Sequence, residues 1–382
     1  MGAGILQIAG VPRARDDVRA WFRDADVHFL RKGRTAIRYL CHLLNLSGRE
    51  VLVPAYNCGA EVDPLIKGGA TVRLYRVDET ASIDVEDLRN RITSSTRAVY
   101  MIHYFGFYQE LRAIKELCSE RGLYLIEDCA LALFSRAGDT KLGTYGDVSI
   151  FSLTKSLPVP DGGALVINNP RLAGGKWRLK STNASTISKE LLPLFKSRVL
   201  RWTSEHAGTR PLYACLLGLL NRKRMAALER ESRLSQAKPD ITNDQCYNDS
   251  LTNRRISGVS GRMLNGFSER SIVAQRRSNF LRYLASFEEC KGIVPLFKEL
   301  PAGVCPLRFP ILVSKRDGAR ARLYRSSIDA GCWWKGYYRG LPWEEFPEAC
   351  FLKDHVLTLP VHQGLTENDI MYIARRVTEA VT

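Results

Sequence analysis

The chain has 382 residues, 45% hydrophobic and 25% charged, with 56 Lys+Arg against 40 Asp+Glu and a formal charge of +16. Hydrophobic content at this level fills a real core, which excludes a disordered chain, and no apolar run approaches the ~20 residues of a membrane span. The length suggests about two domains. The opening MGAGILQIAGVPRARDD has no basic start followed by a long apolar stretch and a small-residue cleavage site, and Leu6 stands where a myristoylation signal wants Ser or Thr. The expectation is a protein that stays in the cytoplasm.

Taken in chain order, TAIRYLCHLLNL has apolar positions at helical spacing and is interrupted from Asn45 to Arg49. EVLVPAY is a β-branched run ended by a proline, VDPLIKGGA is a helix and its stop, and ATVRLYRV is a strand. DVEDLRNRI predicts a helix, RAVYMIHYFG a strand, the stretch from Gln109 to Arg121 a helix, and LYLIEDCA a strand. DVSIFSL and GGALVIN complete the series. This strand–helix alternation predicts an α/β fold with a mainly parallel sheet covered by helices on both faces, with chemistry at the carboxyl ends of the strands.

From about 175 to 250 the pattern changes. Two stretches, KELLPLFKSRVLRW and PLYACLLGLLNRKRMAALERESRL, predict amphipathic helices with basic faces. Between Arg171 and Asp240 there are 15 Lys+Arg against 5 Asp+Glu, so the rest of the chain carries only +6. No zinc-finger, basic-zipper or RNA-recognition pattern accompanies this charge, so a nucleic-acid partner is not expected. The insert is open to several readings: padding of a dimer, a substrate cover, or peripheral contact with an anionic membrane. A helix over Ser268–Ser286, short strands in LRFPILV and HVLTLP, and a helix from Glu367 to Ala380 follow. The expected division is a large domain over 1–250, with the insert, and a small α+β domain over 251–382.

Ten cysteines include no C-x-x-C pair, so no metal site is expected, and Cys41, Cys118, Cys129 and Cys215 have the contexts of small buried hydrophobes. The chemistry concentrates elsewhere. IEDCA is followed, 27 residues after Asp128, by Lys155 within FSLTKSLPVPDGGAL. A lysine amine forms a Schiff base with an aldehyde cofactor, and a carboxylate beside a pyridine nitrogen keeps that nitrogen protonated.

The order GRTAI, VLVPAYNCG, IHYFG, LIEDCA, FSLTKSL, DGGAL resembles the DegT/DnrJ/EryC1/StrS sugar aminotransferases, fold-type-I enzymes that use pyridoxal 5'-phosphate. NRRIS at Asn253–Ser257, Arg276 with Arg277, LRFPILV and LPVHQGLTENDI extend the likeness towards the C-terminus. The resemblance implies that Lys155 binds the cofactor aldehyde and shuttles a proton, and that Asp128 partners the pyridinium. Ser152 matches a phosphate-binding serine, although two residues rather than the family's usual four separate it from Lys155. Gly33, Arg34, Thr35 and Ala36 match the helix opening that receives the phosphate. Tyr56 is the candidate ring to stack on the cofactor, with Cys58 the alternative at that place. Asn253 matches an asparagine that reaches the partner subunit's cofactor phosphate, with Arg255 in the same motif, which implies a homodimer with composite sites. His103 is a candidate for substrate contact. Trp333 and Trp334 are open to two readings, lining of the small domain or a substrate mouth and the preferred core packing, and His362 is expected to be structural. Leu131 departs from the family, which carries Gln, His or Glu there facing the cofactor's phenolic oxygen.

The implied activity is transfer of an amino group from an amino acid, glutamate by resemblance, to a keto sugar linked to a nucleotide. Such a product feeds a polysaccharide or a glycosylated metabolite. Two alternatives stay open: a pyridoxal-phosphate sugar dehydratase, in which histidine replaces the lysine, and a non-catalytic relative acting as a regulatory or scaffolding protein.

Overall fold

The computed structural model describes residues 16–174, 178–183, 187–192, 253–290 and 292–381. The two predicted basic helices of the insert, apart from residues 189–192, lie outside the described residues, as does Cys215.

A short helix α1 (Val18–Trp21) leads into strand β1 (Asp26–Leu30) and helix α2 (Gly33–Leu43). The alternation then continues with β2 (Glu50–Pro54), α3 (Gly59–Lys67), β3 (Thr71–Tyr75), α4 (Val85–Asn90) and β4 (Thr96–Ile102). After α5 (Leu111–Arg121) come β5 (Tyr124–Asp128), a small hairpin of β6 (Arg136–Ala137) and β7 (Thr140–Lys141), β8 (Val148–Ser152), α6 (Leu153–Ser156) and β9 (Gly163–Ile167). Seven strands form one sheet in the order β1-β9-β8-β5-β4-β2-β3. The pairs from β3 through β2, β4 and β5 to β8 are parallel, while β9 runs antiparallel to both β8 and β1. The mainly parallel sheet and the predicted order of elements are therefore present. Helices α2 and α3 pack together, with α2 over β8 and β9, and α5 packs against β5 and α4.

Helix ends are held by local chemistry. Asp84 caps α4 by accepting from the Glu86 and Asp87 amides, and Gly122, at φ +63°, closes α5 in the left-handed conformation that favours glycine. At Gly163 a side chain has no room: a Cβ would lie 2.3 Å from the Lys32 carbonyl carbon and 2.5 Å from the Gly33 nitrogen. Two successive glycines after Asp161 thus let β9 pass directly under the start of α2.

The second sheet has four antiparallel strands in the order β10 (Val294–Pro295), β11 (Arg308–Leu312), β13 (Val356–Pro360) and β12 (Gly331–Cys332). It is built on the helix Glu269–Phe287, which packs against the last helix, Glu367–Val381. Phe280, Tyr283, Phe287 and Phe309 form its aromatic centre, with ring centroids 4.7–5.9 Å apart. Residues 253–261, just past the boundary expected at 250, still lie on the large sheet. Arg255 bridges Leu30, and the Ile256 amide donates to the Phe29 carbonyl.

Candidate active site

The end of β5 places two consecutive acids on opposite sides of the strand, because side chains alternate. Asp128 is buried, and its Oδ2 accepts from the Tyr100 hydroxyl at 2.7 Å while Oδ1 accepts from the Ala130 amide at 2.7 Å. Burial pushes the Asp128 carboxyl above its ordinary value, opposed by the Lys155 ammonium and those two hydrogen bonds. Lys155 stands exposed on α6, the single turn that follows β8. The charge of Lys155 is therefore felt at the Asp128 carboxyl.

The start of α2 adjoins the same turn. A Cβ at Gly33 would lie 3.3 Å from the Ser152 Cβ, so the helix opening and the serine are in contact. Gly33, Thr35 and Ala36 are buried and Arg34 is half-buried, and the helix has no side-chain cap. An uncapped helix start with a hydroxyl beside it suits an anion. Together, a buried carboxylate, an exposed amine within its field and an uncapped helix start form a donor set that fits pyridoxal phosphate. Asp128 would meet the ring nitrogen, Lys155 the aldehyde, and Gly33–Thr35 with Ser152 the phosphate.

Three expectations need correction. Tyr56 is fully buried, its ring packed 5.2 Å from Tyr104 and 5.1 Å from Trp334, and its hydroxyl donates to the Trp333 carbonyl. It has no open face for a cofactor, because packing among aromatic rings already removes it from water. Cys58, two residues on, is the half-buried residue at the cap of α3. His103 is also fully buried and cannot touch a substrate here, since its Nε2 lies 2.9 Å from Glu127 Oε1. Trp333, expected in the core, is only half-buried, and the Lys155 Nζ lies 5.7 Å from its ring centroid. Trp334 is buried as expected, and His362 Nδ1 accepts from the Gly364 amide.

Asn253 and Arg255 are both exposed. Asn253 Oδ1 accepts from the Tyr39 hydroxyl at 2.7 Å, and Arg255 donates to the Ser181 hydroxyl at 2.8 Å. Neither is brought to Lys155 within this chain. Leu131 is buried and supplies no polar group.

Several residues had escaped notice in the sequence. Asp161, fully buried in the DGG motif, accepts from the Ser257 amide at 2.9 Å and from the Ser257 and Ser260 hydroxyls, tying DGG to NRRIS. Lys353 reaches from the small domain to donate to the carbonyls of Asn57 (2.6 Å) and Gly336 (3.0 Å). Burial lowers it to about 8. Tyr338 donates to Asp63 at 3.2 Å, so the start of α3 is clamped by the segment that carries Trp333. Glu61, on that same helix start, is buried, and burial pushes its carboxyl up to about 7, with Lys155 opposing and Asp128 adding. Its only signal in the sequence is the capping-box spacing from Cys58.

Residues 19–189 match the model of the "DegT/DnrJ/EryC1/StrS aminotransferase family". That segment, a little under half of the chain, is thus similar to a family whose enzymes depend on pyridoxal phosphate. It is 34% identical over 153 residues to the GDP-perosamine synthase of Vibrio cholerae, covering 39% of this chain and 42% of that protein. It is 35% identical over 157 residues to the dTDP-4-dehydro-2,3,6-trideoxy-D-glucose 4-aminotransferase of Saccharopolyspora spinosa, covering 40% and 41%. These matches span about two fifths of the length of the curated relatives. The fold match is wider: the aminotransferase TlmJ of Streptoalloteichus hindustanus superposes with a TM-score of 0.66 at 20% identity, over 97% of this chain and 91% of that one. Helicobacter pylori PseC, "involved in the biosynthesis of pseudoaminic acid", gives 0.67 at 16% identity over the same shares. The fold shared with these structures thus extends through both sheets.

Proposed function

We propose that this protein is a pyridoxal-phosphate aminotransferase that moves an amino group from an amino acid, glutamate, to the keto group of a nucleotide-linked sugar. The observation that carries the reading is the buried Asp128 at the end of β5, opposed in its raised carboxyl value by the Lys155 charge, with the α2 opening in contact with Ser152 just before Lys155. Relatives named as nucleotide-sugar enzymes support the substrate class. The charge of +16 suits an anionic diphosphate.

When bound, the cofactor supplies an electron sink for a carbanion at the carbon that bears the amine. The chain's residues do the rest. Asp128, fixed by Tyr100 and the Ala130 amide, is aligned to hold a proton on a ring nitrogen. Lys155 carries the aldehyde-binding amine and, once freed, moves a proton between neighbouring carbons. Gly33–Thr35 and Ser152 orient the phosphate, and Trp333 walls the space over Lys155. Asn253, which is exposed, is read by family resemblance as a contact to the phosphate in a second copy's site, in a homodimer.

The sugar-dehydratase reading is disfavoured by the lysine at position 155. The test is product analysis: the purified protein, pyridoxal phosphate, glutamate and a 4-keto nucleotide sugar should yield an amino sugar and 2-oxoglutarate. A deoxygenated sugar, or no cofactor uptake at all, would overturn the proposal.

A further inference from the structure

The edge of the large sheet opposite to the one that carries Asp128 and Ser152 holds a concave groove of about 470 Å³. Three cations line it, each from a different element: Arg97 at the start of β4, Lys115 on α5, and Arg171 in the turn that follows β9. Strand β9 is antiparallel to β8, so it ends at the edge where its parallel neighbours begin. Along β5, from Tyr124 in the groove to Asp128, about 13 Å of strand separate this place from the site described above.

The groove's charge is unbalanced. Asp147 is the acid among its lining residues, and both of its oxygens are occupied, Oδ2 by the Leu125 amide at 2.8 Å and Oδ1 by the Asn169 side-chain amide at 2.7 Å. The acids of α5 near Lys115 turn elsewhere, Glu116 to Arg112 and Glu120 to Arg89. Among the described residues no carboxylate lies within 4.0 Å of the charged nitrogens of Arg97, Lys115 or Arg171. Aromatic faces hold two of these cations instead. The Arg97 guanidinium carbon is 4.8 Å from the Tyr124 ring centroid, and the Lys115 Nζ is 6.0 Å from that of Tyr145. A ring steadies a cation without removing its charge. Arg97 is half-buried, and its Nε reaches the Leu44 carbonyl only at 3.5 Å, which leaves the two terminal nitrogens to face a ligand.

We propose that this groove binds a small molecule bearing a diphosphate, a nucleoside diphosphate in class, away from the reaction centre. Three cations match the roughly two or three negative charges of such a group, and planar guanidiniums suit phosphate oxygens. The volume exceeds that of a diphosphate alone and lies within the range of small-molecule sites. Ser119 and Thr144 line the remainder with hydroxyls, which suits a sugar. The inference does not depend on the role given to Lys155.

The test reads the groove itself in the full-length protein, by trace acetylation with acetic anhydride and peptide mass spectrometry. Lys115 is followed against the exposed Lys298 of the small domain. Uridine diphosphate should lower the Lys115-to-Lys298 labelling ratio about threefold or more at saturation, because an ammonium held by phosphate oxygens is a poorer nucleophile. Inorganic pyrophosphate should need about tenfold more for the same protection, since it lacks the remainder's contacts. Arg97→Gln and Arg171→Gln should each weaken protection about tenfold, through loss of one charge-assisted contact. A wild-type ratio that uridine diphosphate leaves unmoved would overturn the proposal, and decides the matter alone if a variant does not fold. Equal protection by sodium chloride at the same ionic strength, by pyrophosphate at the same concentration, or in Arg97→Gln would overturn it as well. Nucleotide bound only beside Lys155 would leave Lys115 unprotected, so the two sites are read apart.

Discussion

Glu127 and Asp128 are neighbours on one strand, both buried, and the two faces they serve could hardly differ more. On the Glu127 side both carboxylate oxygens are occupied: they accept from the Gly143, Tyr145 and Gly146 amides and bond to the Nε2 of His103, with the Cys129 thiol beside them, and the His103 Nδ1 alone lacks a partner. Those bonds hold Glu127 below the usual carboxylate range despite its burial. His103, Glu127 and Cys129 converge within 4.8 Å, a metal-like spacing, yet the amides already occupy the acid's oxygens. On the Asp128 side two hydrogen bonds leave burial dominant, and the carboxyl is pushed up beside Lys155 and Glu61. The lesson is that a saturated buried charge makes structure, whereas an under-satisfied one is available for chemistry.

The largest expected effect breaks the closed side. Glu127→Ala strands three backbone amides and His103, and should cost about 3–5 kcal/mol in urea unfolding. A loss below about 1 kcal/mol would remove the contrast. Next, Gly163→Ala forces a Cβ into the Lys32–Gly33 backbone and should cost about 2–3 kcal/mol, with cofactor retention falling alongside.

Glu61→Gln acts with the opposite sign. The wild-type carboxyl is raised from 4.5 to about 7 on folding, so its favourable contribution is complete below the unfolded value and is lost as pH rises through about 7. Glutamine does not titrate. The variant should therefore gain on the wild type between those values, reaching about 2 kcal/mol near pH 8 in pH-resolved unfolding curves. A constant offset across that range would contradict the assignment. Smallest in stability is Asp128→Asn, expected within about 1 kcal/mol of the wild type, because it removes a charge that burial already disfavours. Its measurable consequence should be weaker retention of pyridoxal phosphate on dialysis.

Much of this was legible in the sequence. Apolar runs such as EVLVP and LYLIED became β2 and β5, buried at nearly every position, and the alternation with helices gave the parallel order. Lys155 and Asp128 were legible because their roles demand particular residue types in a fixed order along the chain. What stayed hidden depends on distant contacts. Nothing local to Tyr56 announces that Trp334, far along the chain, will cover its ring. Nothing local to His103 says that Glu127 will take its Nε2. Trp333 has the composition of a core residue, and nothing local to it says that its ring will stand 5.7 Å from the Lys155 Nζ.

The most direct measurement is to incubate the purified protein with pyridoxal phosphate, reduce with borohydride, digest, and map the modified peptide. The reduced adduct should sit on Lys155 and vanish in Lys155→Ala. An adduct spread over other lysines, and unchanged in that variant, would contradict the account.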